Sequence, residues 1–133
     1  MGVRSDLDAN FDFELVDEFL DHYSIMVDSM EVMIIDLSKP SMHVRSMDEL
    51  FRVFNNIKSA SGFLKIVSMS KLAEFVSDEL EELKKSDEPI SEDTTNWLLS
   101  ISNIFSVWQN DLKLDNNLTP IKYSLLKIPH LDK

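Results

Sequence analysis

The sequence predicts an all-α protein, an antiparallel four-helix bundle with room for a short extra C-terminal element. Three observations carry this. The apolar residues recur every three or four positions in four long blocks, which is helical periodicity. Only two glycines and four prolines occur in 133 residues, too few to turn the chain as often as a sandwich or barrel requires. The blocks are joined by short polar connections, the kind that link antiparallel neighbours in a bundle.

Each element has its own justification. Residues 1–10 lack an apolar stripe and are predicted to be a flexible N-terminus. The first helix runs from about Phe11 to Ser38, with Val16, Leu20, Tyr23, Val27, Met30, Ile34 and Leu37 on one stripe. Lys39-Pro40-Ser41 ends it, because proline disfavours helix for the residue before it. The second helix runs from about Met47 to Leu64. Ser46 is the expected N-cap, and Glu49 completes a capping box. Leu50, Val53, Ile57, Ala60 and Leu64 fall within about 40° of one direction on the helical wheel and form its core stripe.

The third helix runs from about Ser70 to Lys85, with Leu72, Val76, Leu80 and Leu83 inward and Lys84 and Lys85 suiting the dipole at its end. After Asp87-Glu88-Pro89, Ser91 is the expected cap of the fourth helix. Trp97, Ile101, Ile104, Trp108 and Leu112 carry its stripe to about Asp115. The bundle therefore occupies residues 11–115. Residues 116–133 form a tail, in which Ile121, Leu125 and Ile128 make one short docked turn or strand, or belong to a linker stub.

Composition excludes several function classes. Hydrophobic residues at 44% and charged residues at 28% are ordinary for a folded domain. The formal charge of −11 repels phosphate backbones and anionic lipid, so neither nucleic acid nor a membrane surface is an expected partner. Cysteine is absent, which removes disulfides and thiol catalysis and fits a reducing, cytoplasmic compartment. The first residues are followed by acidic ones rather than an apolar run, unlike a signal peptide. The longest apolar run, Val32 to Ile35, falls far short of the ~20 residues of a membrane span.

Few residues carry chemistry. His22, His43 and His130 form no i, i+4 pair and join no ligand cluster, so no metal and no cofactor is expected. Two glycines cannot build a phosphate loop, and no serine sits in a nucleophile elbow. The acidic run from Ser77 to Glu82 reads as a solvated helix face, and Met26, Met30 and Met33 as core filler. The informative place is the outer face of the second helix. There Phe51, Arg52, Asn55, Lys58, Ser59 and Gly62 lie opposite the core stripe. Small residues admit close approach, and the two cations favour an acidic or phosphorylated visitor.

The run from Leu50 to Leu64, LFRVFNNIKSASGFL, resembles the signature of histidine phosphotransfer (HPt) domains, in the variety found at the front of bacterial chemotaxis-type histidine kinases. That family reads roughly Phe-Arg-x-x-His-x-x-Lys-Gly-x-x-x-x-x-Gly on the second helix of a bundle. The resemblance extends over about residues 11–115. It implies that this face meets the receiver domain of a response regulator or a histidine kinase, with Lys58 toward the receiver's acidic, Mg²⁺-holding pocket. Any Mg²⁺ would then belong to the partner.

The sequence departs from the family where the chemistry sits. The phosphorylated histidine falls on Asn55, the next glycine on Ser59 and the later glycine on Lys65. The histidine and glutamate that support the reactive imidazole fall on Glu74 and Ser77. An amide nitrogen delocalises its lone pair into the carbonyl and cannot take and release a phosphoryl group as imidazole does. The expectation is therefore a pseudo-HPt module without catalytic residues, a non-relaying binder in two-component signalling. Two alternatives stand beside it. One is an active phosphotransfer domain whose native histidine at position 55 was replaced. The other is a structural or oligomerisation bundle, with an interface from Trp97, Phe105 or the tail. The sequence leaves the oligomeric state open.

Overall fold

A computed structural model describes residues 2–85 and 90–127. Their regular secondary structure is all helical, with no strand among them. The helices are α1 (Val3–Asn10), α2 (Phe13–Asp36), α3 (His43–Phe63), α4 (Val67–Lys84) and α5 (Glu92–Lys113), followed by a 3-10 turn at Tyr123–Leu126. The contacts group the chain into two compact units. One holds the described residues up to Glu31 and from Glu92 onward, and the other runs Val32–Ser91.

In the first unit, the segment expected to be flexible is instead helix α1. It has one buried apolar residue, Leu7, and its order comes from tertiary contacts. Gly2 lies so close to the backbone of Asp115 and Asn116 that a Cβ there would overlap it. The Val3 N–H donates to the Asn116 carbonyl at 3.1 Å. Arg4 bonds Asp8 along the helix and Asp17 of α2 at 2.7 Å. α2 begins at Asp12, whose carboxylate accepts the Glu14 N–H at 2.9 Å, an N-cap arrangement.

On the unit's part of α2, Val16, Tyr23, Val27 and Met30 are buried as expected, while Phe19 is buried and Leu20 only half-buried. The Tyr23 hydroxyl donates to the Phe105 carbonyl at 2.6 Å. Trp97, Ile101, Ile104, Trp108 and Leu112 of α5 are all buried. The tail folds back along α5. Trp108 Nε1 donates to the Thr119 carbonyl and Trp97 Nε1 to the Leu125 carbonyl, each at 2.8 Å. Asp111, only 8% exposed, accepts the Thr119 N–H and hydroxyl on one oxygen, both at 2.8 Å. The tail holds the 3-10 turn at Tyr123–Leu126. Ile128 and His130 lie outside the described residues.

In the second unit, α2 stops in a series of tight turns before Pro40. The His43 ring bonds the Leu37 carbonyl through Nδ1 at 2.8 Å, which requires the Nδ1–H tautomer. α3 starts at His43, earlier than the capping box predicts. Ser46 is buried inside the helix, its N–H on the Met42 carbonyl. Glu49 pairs with Arg45 at 3.0 Å instead of closing the box. Leu50, Val53, Ile57 and Leu64 are buried as predicted; Phe54 is buried too, and Ala60 is half-buried.

α3 ends in a Schellman arrangement. Ile66 N–H bonds the Ser61 carbonyl at 2.8 Å, Lys65 N–H bonds Gly62 at 3.1 Å, and Lys65 takes φ 60°. α4 follows from Val67, three residues before the predicted start, with Leu72, Val76 and Leu80 buried and Leu83 half-buried. The acidic run is not wholly solvated, since Glu79 is buried.

Candidate functional site on helix α3

The six candidate residues sit on two adjoining lines of α3. Phe51, Asn55, Lys58 and Gly62 are spaced by four, three and four residues, so they stack on one flank. Arg52 and Ser59 lie one residue further round, on the outward ridge. Arg52, Ser59 and Gly62 are exposed, and Phe51, Asn55 and Lys58 are half-buried. The structure therefore brings all six to one side of one helix.

Helix α4 borders the first line. The Ser70 hydroxyl donates to the Lys58 carbonyl at 3.1 Å, and a Cβ on Gly62 would stand 3.2 Å from that same hydroxyl. Gly62 thus serves a close helix–helix approach as well as an open surface. At the other end, Lys84 Nζ lies 4.7 Å from the centre of the Phe51 ring and 3.0 Å from Asp48. Lys84 is a third cation beside the face, and its aromatic contact is a cation–π pair. The hairpin register that sets Ser70 against Gly62 puts Ser77 at about the level of Asn55 along the antiparallel helices.

That level decides the chemistry. Ser77 is buried, and its hydroxyl donates to the Glu74 carbonyl of its own helix at 3.1 Å. Glu74 is exposed. Neither supplies an imidazole or a second-helix carboxylate to a reacting group at position 55. His22 lies exposed on α2, and the His43 ring is tied to Leu37. Among the described residues, no group of three or more His, Asp or Glu side chains could hold a metal ion. No helix among them is long and apolar enough to cross a membrane. The face offers cations, a ring, an amide and small residues.

Sequence reasoning missed Lys84 and Ser70, because a wheel of one helix says nothing of its neighbour. One signal for the turn was present. The motif's later glycine falls on Lys65, and Lys65 has the left-handed backbone that glycine adopts most easily. Compared with known proteins, the chain matches no family model, no curated protein and no solved structure.

Proposed function

We propose that the chain is a non-phosphorylatable HPt-like module, a four-helix bundle of that type working in the cytoplasm. It docks a response-regulator receiver domain or a histidine kinase through Phe51, Arg52, Asn55, Lys58, Ser59 and Gly62. The observation that carries this reading is the agreement between motif and backbone at the end of α3. The pattern that matches Phe51, Arg52 and Lys58 places a glycine at position 65, and position 65 has φ 60°. A register error of one residue would break that agreement. The approach of Gly62 to Ser70 supports the same register, because it brings α4 beside the face.

On this reading relay is lost at the residue in the centre. Phosphoryl transfer needs an attacking atom placed in line with the leaving oxygen, and the Asn55 amide supplies none. What survives is recognition. Lys58 and Arg52 suit an acidic pocket, and they gain most when water is excluded around them.

The test is a heteronuclear NMR titration of the labelled chain with receiver domains, with and without a phosphoryl mimic. Shifts clustered on Arg52, Asn55, Lys58, Ser59 and Gly62, lost in the Lys58→Glu variant, are expected. Shifts on other surfaces, or none with any receiver, would overturn the reading.

A further inference from the structure

The cations of Val32–Ser91 divide by position. Lys39, Arg45, Lys84 and Lys85 each hold a carboxylate, on Asp36, Glu49, Asp48 and Glu82 respectively. Arg52, Lys58, Lys65 and Lys71 hold none among the described residues. The cause is in the sequence. From Leu50 to Ala73 there is no Asp or Glu, in a chain that has twenty-four. This stretch spans most of α3, the turn and the first turns of α4. Lys65 and Lys71 are exposed at the closed end of the α3–α4 hairpin, Lys58 is half-buried just before it, and Arg52 is exposed further back on α3. Phe63, 65% exposed, and Val67, 58% exposed, stand on either side of the turn between them. Single exposed apolar residues are ordinary. Two beside uncompensated positive charge, in a molecule otherwise strongly acidic, have the make-up of an interface with an apolar centre and a charged rim.

We infer that the closed end of the α3–α4 hairpin is an interaction surface for an acidic protein partner, one that presents an apolar side chain between carboxylates. This goes beyond the receiver-docking reading, since Val67 and Lys71 lie outside the motif and the charge argument needs no phosphotransfer ancestry. Charge complementarity names the partner's sign, and the exposed Phe63 and Val67 favour a protein over a nucleic acid. The cations act at long range and steer the encounter, so the association is salt-dependent.

The experiment uses the full labelled chain and three probes: an amphipathic peptide of Glu and Leu, its Lys-for-Glu counterpart, and a single-stranded oligonucleotide. The acidic peptide is expected to shift Lys58, Lys65, Val67 and Lys71, and to bind several-fold more weakly at high salt. The Lys65→Gln/Lys71→Gln pair should weaken it roughly tenfold. Lys39→Gln/Lys85→Gln makes the same change in net charge at cations already paired, and should leave binding within about twofold. Equal losses from both pairs, binding of the basic peptide at these same residues, preference for the oligonucleotide, shifts elsewhere or no binding of the acidic peptide would each overturn the inference. A receiver that fails to bind while the acidic peptide binds here would remove only the proposed function. A receiver that binds the motif face unaffected by Lys65→Gln/Lys71→Gln, with no peptide binding, would remove only this surface.

Discussion

Asp115, two residues past the end of α5, caps helix α1 through Ser5. One carboxylate oxygen accepts the Ser5 N–H at 2.9 Å and the other accepts the Ser5 hydroxyl. Asp115 holds φ 55°, a left-handed conformation that aspartate tolerates better than most residues. An N-cap is normally supplied from just before its helix. Here it comes from 110 positions away in sequence.

This bond makes α1 docking sensitive to acid. The Ser5 hydroxyl and then its N–H hold the Asp115 carboxyl below its usual range. A depressed carboxyl stabilises the folded state above its unfolded pKa, and that contribution is lost as pH falls through the folded value. α1 should therefore stay docked at neutral pH and loosen below the ordinary carboxylate range. Following the α1 amide resonances on acidification checks this. Asp115→Asn should remove that part of the pH response; an unchanged response would show that Asp115 is not its source.

The same geometry shows what the sequence could and could not say. Four of the helices were legible, because stripes such as Leu50, Val53 and Ile57 need only local spacing. α1 was not, since a helix with Leu7 as its one buried residue depends on Gly2 and Asp115 meeting. The capping box at Ser46 failed because Arg45 competes for Glu49 and the helix gains a turn before it. The α3 face was legible from one wheel. Its border with Ser70 and Lys84 was not, since helix register is a tertiary fact. The tryptophans announced buried rings, but not that their N–H groups would hold the tail.

Lys65 carries a conformational cost. A left-handed backbone costs a residue with a Cβ about 1–2 kcal/mol, and glycine avoids it. Lys65→Gly should raise the unfolding free energy by about 1 kcal/mol in a denaturant titration. Lys65→Val, β-branched, should lower it. A loss of stability in the glycine variant would mean that the lysine stem packs enough to offset the strain.

The tail should come loose through Asp111. Replacing it with alanine removes the acceptor of both the Thr119 N–H and its hydroxyl, and leaving partly buried donors unmet costs about 1–3 kcal/mol. Trp108→Phe loses the bond to the Thr119 carbonyl, about 1 kcal/mol, and leaves a cavity at a fully buried site that adds to the global cost. Both variants should be cut faster by protease between Asn116 and Lys127, with Asp111→Ala the more sensitive. Equal resistance to the parent chain would show that the Trp97–Leu125 bond alone secures the tail.

Gly62 and Ser70 should be coupled. Alanine in a helix interior is favoured over glycine by about 0.5–1 kcal/mol, so Gly62→Ala ought to stabilise α3. At this position the new methyl would stand 3.2 Å from the Ser70 hydroxyl, which must give by a few tenths of an ångström against its bond to the Lys58 carbonyl. In the parent chain the two effects oppose, and the gain should be small or reversed. In a Ser70→Ala background the hydroxyl is gone, and Gly62→Ala should recover its full helical gain. A double-mutant cycle read by chemical denaturation isolates the coupling, expected at about 0.5–1 kcal/mol for two side chains in contact. Additivity of the two changes would place α4 further from α3 at this level than the geometry has it, and would weaken the register that sets Ser77 beside Asn55.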